Sequence, residues 1–420
     1  MNMNSKAIIS FIISYFVFYY SYGQNVIPTR DYEVNLENDA VGQYMQDVIY
    51  ELHDSSLIDN YCKGLTYRAD WPNPLVMDIP QTTADSLLIY CCDDETLQDS
   101  LTFHVSATDS KVKLYNFIPN RIYRYEIKNG DEILQQGKIK TSGQLRMINV
   151  CNTVSNVRDL GGWKTADNMQ IRYGKIFRGT ELNGTYIATA EGIKILRDLG
   201  VGAELDMRAF YNEGHNVSAF GFSKKSSEGI ATYYYTSDSG QLPSDLTNST
   251  WLKRWKLEFQ FIVNNLHEGH AIYEHCVHGK DRTGYLSFLL EGLLGVSYSD
   301  LVKDYELTFF INNQISTKDS IDKVFEYINT MSGESMCEKF NTFFINELNV
   351  KQSDIDFFRS EMLQPIKNGD NAIINIQNDT DIYKDYLLYD LSGSLIRFPK
   401  NGHIYLIKDR YGHTRKVFFQ

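Results

Sequence analysis

The stretch "AIYEHCVHGKDRTGYLSFLLEGLLG", from Ala271 to Gly295, joins two apolar runs through a short polar loop. The leading run predicts a strand that delivers Cys276 to the edge of a sheet. The trailing run predicts an apolar helix that begins just after Arg282. The loop between them then lies at a helix N-terminus, where backbone N–H groups and the helix dipole favour a tetrahedral anion.

Two side chains of this loop, separated by five residues, have complementary chemistry. The field at the helix N-terminus stabilises a thiolate, so we expect Cys276 to have a depressed pKa and to be a nucleophile. The planar guanidinium of Arg282 closes the loop and can bind two phosphate oxygens at once. The residues expected to surround a bound phosphate are Val277, His278, Gly279, Lys280, Asp281 and Arg282.

Four neighbouring residues are expected to support this loop. Gly279 permits tight backbone curvature, and Gly284 lets the helix begin close to the loop. The hydroxyl of Thr283 can hydrogen-bond to the cysteine sulfur and help it leave in a second step. We expect His275 to orient the loop rather than to act as a base.

The region around the loop, residues 143–365, alternates between strand and helix patterns. Helical spacing of apolar residues is seen in "EGIKILRDLG" and "WLKRWKLEFQFIVNNLHEG", and "VGAELDMR" and "IATYYYT" are typical of strands. This alternation predicts an α/β domain with a central, mostly parallel sheet flanked by helices.

The loop in this context resembles the signature loop of the protein tyrosine phosphatase superfamily. "HCVHGKDRTG" resembles its bacterial members of dual or triple specificity, which also act on phosphoserine or phosphoinositides. Further similar stretches are "NVRDLGGW" (156–163), "GKIFRGTEL" (174–182) and "LRDLGVGAELDMR" (196–208), with Met207 where the family has leucine. The resemblance implies helices wrapped over the sheet, and we expect Arg158 and Asp159 to stabilise the loop from beneath. A buried structural cysteine beside a surface arginine would not explain a ten-residue motif in this strand–loop–helix context.

A phosphoryl-transfer mechanism of this kind also needs a carboxylic acid to protonate the leaving oxygen. Asp206 ends a predicted strand at the sheet edge where active sites collect, and the resemblance favours it. Asp281 lies inside the loop and can share the task. Asp238 and Asp245 lie in a segment that contains serine, glycine and proline and could form a movable flap. The sequence leaves these candidates open.

Lys280 bears on the choice of substrate. A lysine inside the loop adds a point charge beside the scissile phosphate and favours substrates with a second phosphate, such as phosphoinositides. The alternative is a lysine that faces solvent. Phytase-like members of the superfamily, which act on inositol polyphosphates, usually have glycine where this chain has Asp281.

The N-terminus is typical of an export signal. Lys6 precedes the apolar run "AIISFIISYFVFYY", and "SYG" ends in small residues, so we expect cleavage before Gln24. The run is short for a membrane span. Residues 1–23 are therefore predicted to be a signal peptide, and the mature chain to be periplasmic or exposed at the cell surface, without a transmembrane segment.

Two β-rich regions flank the predicted catalytic domain. Residues 24–142 contain short alternating strands, and Asn129-Gly130 predicts a hairpin between two of them. "YNFIPNRIYRYEI" followed by "GKIKTSG" resembles the last strands of a fibronectin type III domain, so residues 65–141 are predicted to form a β-sandwich, with Trp71 in its core. Asn73, in "WPNP", is assigned no catalytic role.

The last region, residues 366–420, returns to strands and turns. It resembles the small β tails of exported Bacteroidetes proteins, which implies a sorting or docking module. The alternative is a cap on the catalytic domain. Either β region could dock other periplasmic or surface components.

Net charge and cysteine spacing disfavour several classes of protein. A net charge of -12 disfavours a nucleic-acid binder, which should carry a basic face. The six cysteines form neither a disulfide framework nor zinc-binding spacing, and no metal or cofactor is expected. The prediction is an exported phosphatase that acts on phosphotyrosine by default. The alternatives are an inositol-polyphosphate phosphatase, or a non-catalytic protein that binds phosphate or adheres through its β-domains.

Overall fold

The computed structural model describes residues 27–47, 58–65, 71–93, 100–224, 230–236, 248–310 and 319–366, and five strand segments between 374 and 419. Residues 1–23, the predicted signal peptide, lie outside these ranges. Among the described helices, none combines the length and apolar character needed to cross a membrane. The described chain is a mixed α/β molecule.

The N-terminal part contains two sheets and two short helices. Its strands are β1 (Tyr32–Asn35), β2 (Leu75–Asp78), β3 (Ser86–Asp93), β4 (Ser100–Ser106), β5 (Lys111–Leu114), β6 (Ile122–Asn129) and β7 (Glu132–Ser142). The helices are α1 (Asp39–Gln46) and α2 (Ile58–Cys62). One sheet has the order β1-β7-β6-β3-β4, and β2 pairs antiparallel with β5. The predicted hairpin is confirmed: β6 and β7 are antiparallel, and Gly130 between them has φ +59°.

Alternating side chains of these strands form one hydrophobic cluster that both sheets share. Leu87, Ile89 and Cys91 of β3 are buried in it, as are Leu75 and Met77 of β2. The placement of Trp71 in this core was wrong: it is half-buried and outside the cluster, whose aromatic centre is formed by Phe117, Tyr123 and Tyr125. Asn73 instead ties its segment to the chain before α1, because its side-chain amide donates to Glu37 O at 2.7 Å. A fibronectin type III classification stays a prediction.

The central sheet of the catalytic region is mostly parallel, as predicted. Its strands are β8 (Arg158–Asp159), β10 (Ile176–Gly179), β11 (Val201–Asp206), β12 (Tyr233–Tyr235) and β13 (Ala271–His275), in the order β12-β11-β13-β10-β8. Only β8 runs antiparallel to its neighbour. A small antiparallel pair joins β9 (Met169–Ile171) to β14 (Leu363–Pro365).

Helices follow and surround these strands. They are α3 (Ala190–Asp198), α4 (Ser249–His267), α5 (Asp281–Leu294), α6 (Tyr298–Glu306), a 3₁₀ turn (Leu307–Phe310), α7 (Asp319–Asn329), α8 (Met336–Asn346) and α9 (Gln352–Met362). β13 is buried at every residue and α5 at nearly every one. That burial explains why both segments are apolar without a polar face.

The leading segment contacts the catalytic region. α1 buries Val41 and Tyr44 in the same hydrophobic cluster as α4, α5 and α6. Burial raises the pKa of Glu37, although its carboxylate accepts the backbone N–H groups of Gln144 and Leu145 at 2.6 and 2.8 Å. Residues 48–57, which follow α1, lie outside the described residues.

The C-terminal strands form one further sheet. They are β15 (Ile374–Ile376), β16 (Tyr386–Tyr389), β17 (Leu395–Ile396), β18 (His403–Asp409) and β19 (Thr414–Phe419), in the order β15-β19-β18-β16-β17. The described strands thus lie in the region that the sequence assigns to strands and turns. The role of this sheet, as a docking module or a cap, stays a prediction.

Candidate active site

The loop of residues 276–280 connects the carboxyl end of β13 to the N-terminus of α5. β13 lies between β11 and β10, so the loop emerges at the middle of the sheet edge. α5 begins at Asp281, two residues earlier than predicted. Asp281 and Arg282 therefore belong to the first helical turn, whose backbone N–H groups have no intrahelical partner and can bind an anion.

The carbonyl groups of the loop are held from outside. Val277 O accepts the N–H of Glu181 at 3.0 Å, and the side-chain amide of Asn156 donates to His278 O and Gly279 O at 3.1 Å each. Arg178 Nη2 also donates to Gly279 O, at 3.0 Å. Carbonyls fixed in this way leave the alternating N–H groups free to turn toward the loop interior.

Glycine is required at two places, for different reasons. Gly279 has φ +63°, and a Cβ there would lie 2.3 Å from the carbonyl oxygen of Gly179. Only glycine fits both constraints, in line with the predicted curvature. At Gly284 a Cβ would meet the Tyr305 ring at 2.7 Å, so this glycine allows α5 to pack closely on α6.

The thiol of Cys276 is buried, with 3% exposure, and lies against positive charge. Burial alone would raise its pKa. The charge of Arg282 and the hydroxyl and N–H of Thr283 outweigh burial, so the pKa of the thiol is lowered despite the opposing charge of Asp281. The buried Thr283 hydroxyl has no other hydrogen-bond partner among the described residues. The surroundings of the sulfur therefore favour the thiolate form.

Arg282 is half-buried and fixed at one nitrogen only. Its Nη1 donates to Met207 O at 2.8 Å, and its buried Nε has no hydrogen-bond partner in the described chain. The guanidinium is thus oriented by the end of β11 while keeping donors for a ligand. A phosphate is the ligand that this fork fits best.

His275 is fully buried, and both ring nitrogens face oxygen atoms. Nε2 lies 3.0 Å from Glu204 Oε1, and Nδ1 lies 3.1 Å from Cys276 O. Burial would lower the pKa of His275, but the charges of Asp206 and Glu204 raise it. The ring links the loop to β11, and both of its nitrogens are engaged, so the geometry is compatible with the expected orienting role.

Asp206 lies at the end of β11, as predicted, but both of its oxygens are occupied. Arg208 donates to Oδ1 and Oδ2 at 2.9 and 2.6 Å, and the Tyr233 hydroxyl donates to Oδ2 at 2.8 Å. Burial would raise the pKa of Asp206, yet the charges of His275 and Arg208 hold it below its usual value. A general acid must carry a proton near neutral pH, so this environment does not favour Asp206 in that role.

Asp281 is the more accessible candidate acid. Its side chain is 41% exposed at the mouth of the loop, and its Oδ1 lies 3.6 Å from the Lys280 ammonium. Lys280 itself is 22% exposed, so it does not face solvent freely. Asp238 and Asp245, the predicted flap pair, lie outside the described residues.

Arg158 and Asp159, which were both expected to support the loop, bind different partners. Arg158 binds Asp304 of α6, with Nε 2.8 Å from Oδ1, and donates to the Asn156 side-chain oxygen, so it supports the loop indirectly. Asp159 instead pairs with Arg146 at 3.3 Å, and Arg146 also donates to Asn116 O in the N-terminal part. The described contacts of Asp159 are thus made outside the loop, and they do not provide the support that we expected from this residue.

Sequence reasoning missed three residues that hold the loop: Asn156, Arg178 and Asp304. Arg178 and Arg158 both bind Asp304, which is fully buried. Asn156 and Arg178 lie within the family-like stretches quoted above, and Asp304 lies within another stretch that resembles the family's downstream helices, "GVSYSDLVKDYELT" (295–308), so the resemblance was a usable signal for all three. Among the described residues, no group of three or more His, Cys, Asp or Glu side chains is placed to hold a metal ion.

Comparison with known proteins points in the same direction as this geometry. Residues 150–364, just over half of the 420 residues, match the family model described as the tyrosine phosphatase family. A protein of Cupriavidus necator named "putative tyrosine-protein phosphatase" is 25% identical over 186 residues, which cover 41% of this chain and 67% of that protein.

Proposed function

The chain belongs to the tyrosine phosphatase family, and we propose that it is an exported protein tyrosine phosphatase that works through a phosphocysteine intermediate. The observation that carries the proposal is the pairing of a thiol of lowered pKa with an arginine that keeps free donors. Cys276 and Arg282 meet at the N-terminus of α5, where backbone N–H groups can bind an anion.

In the first step the Cys276 thiolate attacks phosphorus, and the bond from phosphorus to the tyrosyl oxygen breaks. Arg282 and the loop N–H groups stabilise the charge on the three non-bridging oxygens. The leaving oxygen takes a proton from the carboxylic acid of Asp281, because an aryl oxide leaves more readily as a phenol.

In the second step a water molecule attacks the phosphocysteine, and the phosphorus–sulfur bond breaks. The Asp281 carboxylate accepts a proton from the water, so the acid is restored for the next cycle. The Thr283 hydroxyl, which lies against the sulfur, stabilises the departing thiolate. Inorganic phosphate is the product.

Asp281 is preferred over Asp206 because it is more accessible. A substrate oxygen above the loop can approach a carboxyl that is 41% exposed, whereas Asp206 is fully buried and bound by Arg208. We assign Asp206 to the orientation of Arg208 and of the strand end that holds Arg282.

The charges near the loop favour a substrate with one phosphate. Arg158, Arg178 and Arg208 are fully buried and form ion pairs with carboxylates. Among the described residues of the loop and the first turn of α5, Arg282 and Lys280 remain to face the ligand. An inositol polyphosphate would need more exposed cations than these, so the phytase-like alternative is less well supported. The lowered pKa of Cys276 speaks against a purely binding protein.

Export belongs to the same proposal and depends on the N-terminal pattern. Lys6, the apolar run and the small residues before Gln24 support cleavage and a periplasmic or cell-surface location. In that setting the two flanking β regions would dock neighbouring components. Sequencing the N-terminus of protein isolated from the native host tests this, and a mature chain beginning at Met1 would refute it.

The decisive experiment compares substrates side by side: a phosphotyrosine peptide, a phosphoserine peptide, a phosphoinositide and phytate. We expect kcat/KM to be highest for phosphotyrosine, unaffected by a chelator, and lowered by several orders of magnitude in Cys276→Ser. Cys151→Ser is the matched control, because Cys151 also has a lowered pKa, through its contact with the Thr153 hydroxyl and backbone N–H groups, although burial alone would raise it. Unchanged turnover in Cys276→Ser would refute the mechanism.

A further inference from the structure

The most exposed large apolar side chains of the described residues belong to segments that are hydrogen-bonded to the loop or to each other. Seven such side chains are at least about one-third exposed, and the four most exposed, at 59–63%, are Ile187, Phe210, Tyr211 and Val217. Single exposed apolar residues are ordinary, but a group of them at one place marks a contact surface. We call these four residues the apolar rim.

One side of the apolar rim is connected to Arg282. Met207 O accepts from Arg282 Nη1 at 2.8 Å, and Phe210 and Tyr211 follow three and four residues later. They occupy the tip of a tight turn, which is closed by the Ala209 N–H donating to the Asn212 side chain at 2.9 Å. The two rings meet edge to face, with centroids 5.4 Å apart.

The other side is connected to His278 in the loop. The Tyr186 hydroxyl lies 3.0 Å from His278 Nδ1, and Ile187 is the next residue. The Asn183 amide donates to Val217 O at 2.9 Å, so Val217 is held beside the same segment. The apolar rim therefore borders the loop on two sides.

Buried Arg208 makes this border rigid. Besides Asp206, it binds Asn183 Oδ1 at 2.8 Å, Glu213 O at 3.1 Å and Gly214 O at 2.8 Å, so it joins the segments that carry all four rim residues. Exposed aromatic side chains on a rigid support lose little entropy on binding, which is what a recognition surface requires.

We propose that the apolar rim selects phosphotyrosine in protein segments whose neighbouring residues are apolar. This inference rests on the proposed function and narrows its substrate. The phosphate would occupy the loop, and the flanking side chains would lie on Phe210, Tyr211, Ile187 and Val217. An inositol ring, which carries only hydroxyl and phosphate groups, offers nothing to these side chains.

The test uses two phosphotyrosine peptides that differ only in having leucine or serine on both sides of the phosphotyrosine. We expect wild-type kcat/KM to be about tenfold higher for the leucine peptide than for the serine peptide. This is the lower end of the discrimination that an apolar contact gives, because the rim is open to solvent. The Phe210→Ser/Tyr211→Ser double variant should lose this preference. Val76→Ser, which removes an exposed apolar side chain of β2, should retain it.

The outcomes are distinguishable from a failure of the proposed function. Turnover of phenyl phosphate with equal kcat/KM for the two peptides would overturn the rim proposal alone. Absence of Cys276-dependent turnover of any aryl phosphate would overturn both. No peptide preference, together with rim-dependent binding to phosphatidylserine vesicles or a rim-dependent dimer in sedimentation, would assign the surface to a membrane or a second copy and refute the proposal.

Discussion

At the scale of single residues, Asn156 has the most consequential contacts outside the loop itself. It has φ +58°, an unusual conformation for a residue other than glycine. Its amide donates to two loop carbonyls, and its oxygen accepts from Arg158. This arrangement fixes the orientation of the peptide groups that would bind phosphate, so Asn156 is a positioning residue.

We expect Asn156→Gly to lower kcat/KM for phosphotyrosine by about ten- to a hundredfold, because two hydrogen bonds to the loop are lost. Glycine keeps the positive φ, so backbone strain is not introduced. The inhibition constant of inorganic phosphate should rise in parallel, since phosphate binds the same N–H groups. A variant with a lower Tm but unchanged kcat/KM and phosphate inhibition would show a purely structural role.

The lowered pKa of Cys276 gives a second prediction. Alkylation of Cys276 by iodoacetamide should reach half of its maximal rate at a pH below 9, the ordinary value for this group. Arg282→Gln removes the main lowering charge, so the midpoint should shift to higher pH. The rate is followed by mass spectrometry of the Cys276 peptide in a Cys151→Ser background. An identical midpoint in both proteins would contradict the electrostatic account.

How well these roles could be predicted depends on sequence distance. Cys276, Gly279 and Arg282 lie in one short loop, so local spacing was enough to suggest their chemistry. The state of Asp206 depends on Tyr233, 27 residues away, and on how Arg208 folds back. The contact of Asn156 with Gly279 spans 123 residues. No local pattern encodes such distant partners.

At the scale of elements, β13 and α5 bury carboxyl groups beside the loop. Glu274 of β13 is fully buried, and its Oε1 accepts from the Ser287 hydroxyl of α5 at 2.5 Å. Burial raises the pKa of Glu274 to about 7, although Ser287 and Arg178 lower it. The carboxyl is therefore protonated in the folded protein over a range in which the unfolded chain has lost the proton.

The sign of the stability effect follows from this difference. Between pH 4.5 and about 7 the unfolded chain binds fewer protons at Glu274, so stability falls as pH rises through that window. We expect Glu274→Gln, which mimics the neutral acid, to raise the free energy of unfolding at pH 8 by up to about 3 kcal/mol. The gain should vanish near pH 4.5.

Urea unfolding at pH 8 and near pH 4.5 measures the free energy of unfolding of the two proteins. Glu361→Gln is the matched control: Glu361 pairs with Lys175 at the surface, and its removal should change stability little at either pH. A Glu274→Gln protein no more stable than wild type at pH 8 would contradict the prediction.

Elements were predictable where a local pattern was sufficient. Asn129-Gly130 marked a hairpin, because its glycine adopts the positive φ that the turn needs. The alternation of strands and helices indicated the parallel sheet. Two details depended on packing instead: α5 starts at Asp281, and Trp71 stays outside the core that Tyr123 and Tyr125 fill.

At the scale of the whole molecule, the predicted boundary at residues 142 and 143 separates parts that pack together. α1 comes before that boundary, yet Tyr44 is completely buried among catalytic helices. Its hydroxyl donates to Glu306 Oε2 at 2.5 Å, and Lys303 donates to Met45 O at 2.8 Å. α6 also carries Asp304, which binds Arg158 and Arg178 beneath the loop. α1 therefore stabilises the position of α6, and through α6 the position of the loop.

The last prediction tests this connection with Tyr44. We expect Tyr44→Ala to lower the free energy of unfolding by about 3–5 kcal/mol, because it leaves a cavity beside Phe310, whose ring centroid is 5.9 Å from that of Tyr44. Tyr44→Phe keeps the ring and removes one donor to buried Glu306, which should cost about 1–3 kcal/mol. Tyr90→Phe, at a half-buried position of β3, is the control and should change stability little. A chain beginning at Gly143 should be less stable than either Tyr44 variant, because it lacks all of α1. If that shortened chain unfolded at the wild-type temperature with full activity, residues 143–365 would be an independent domain and the support from α1 would be refuted.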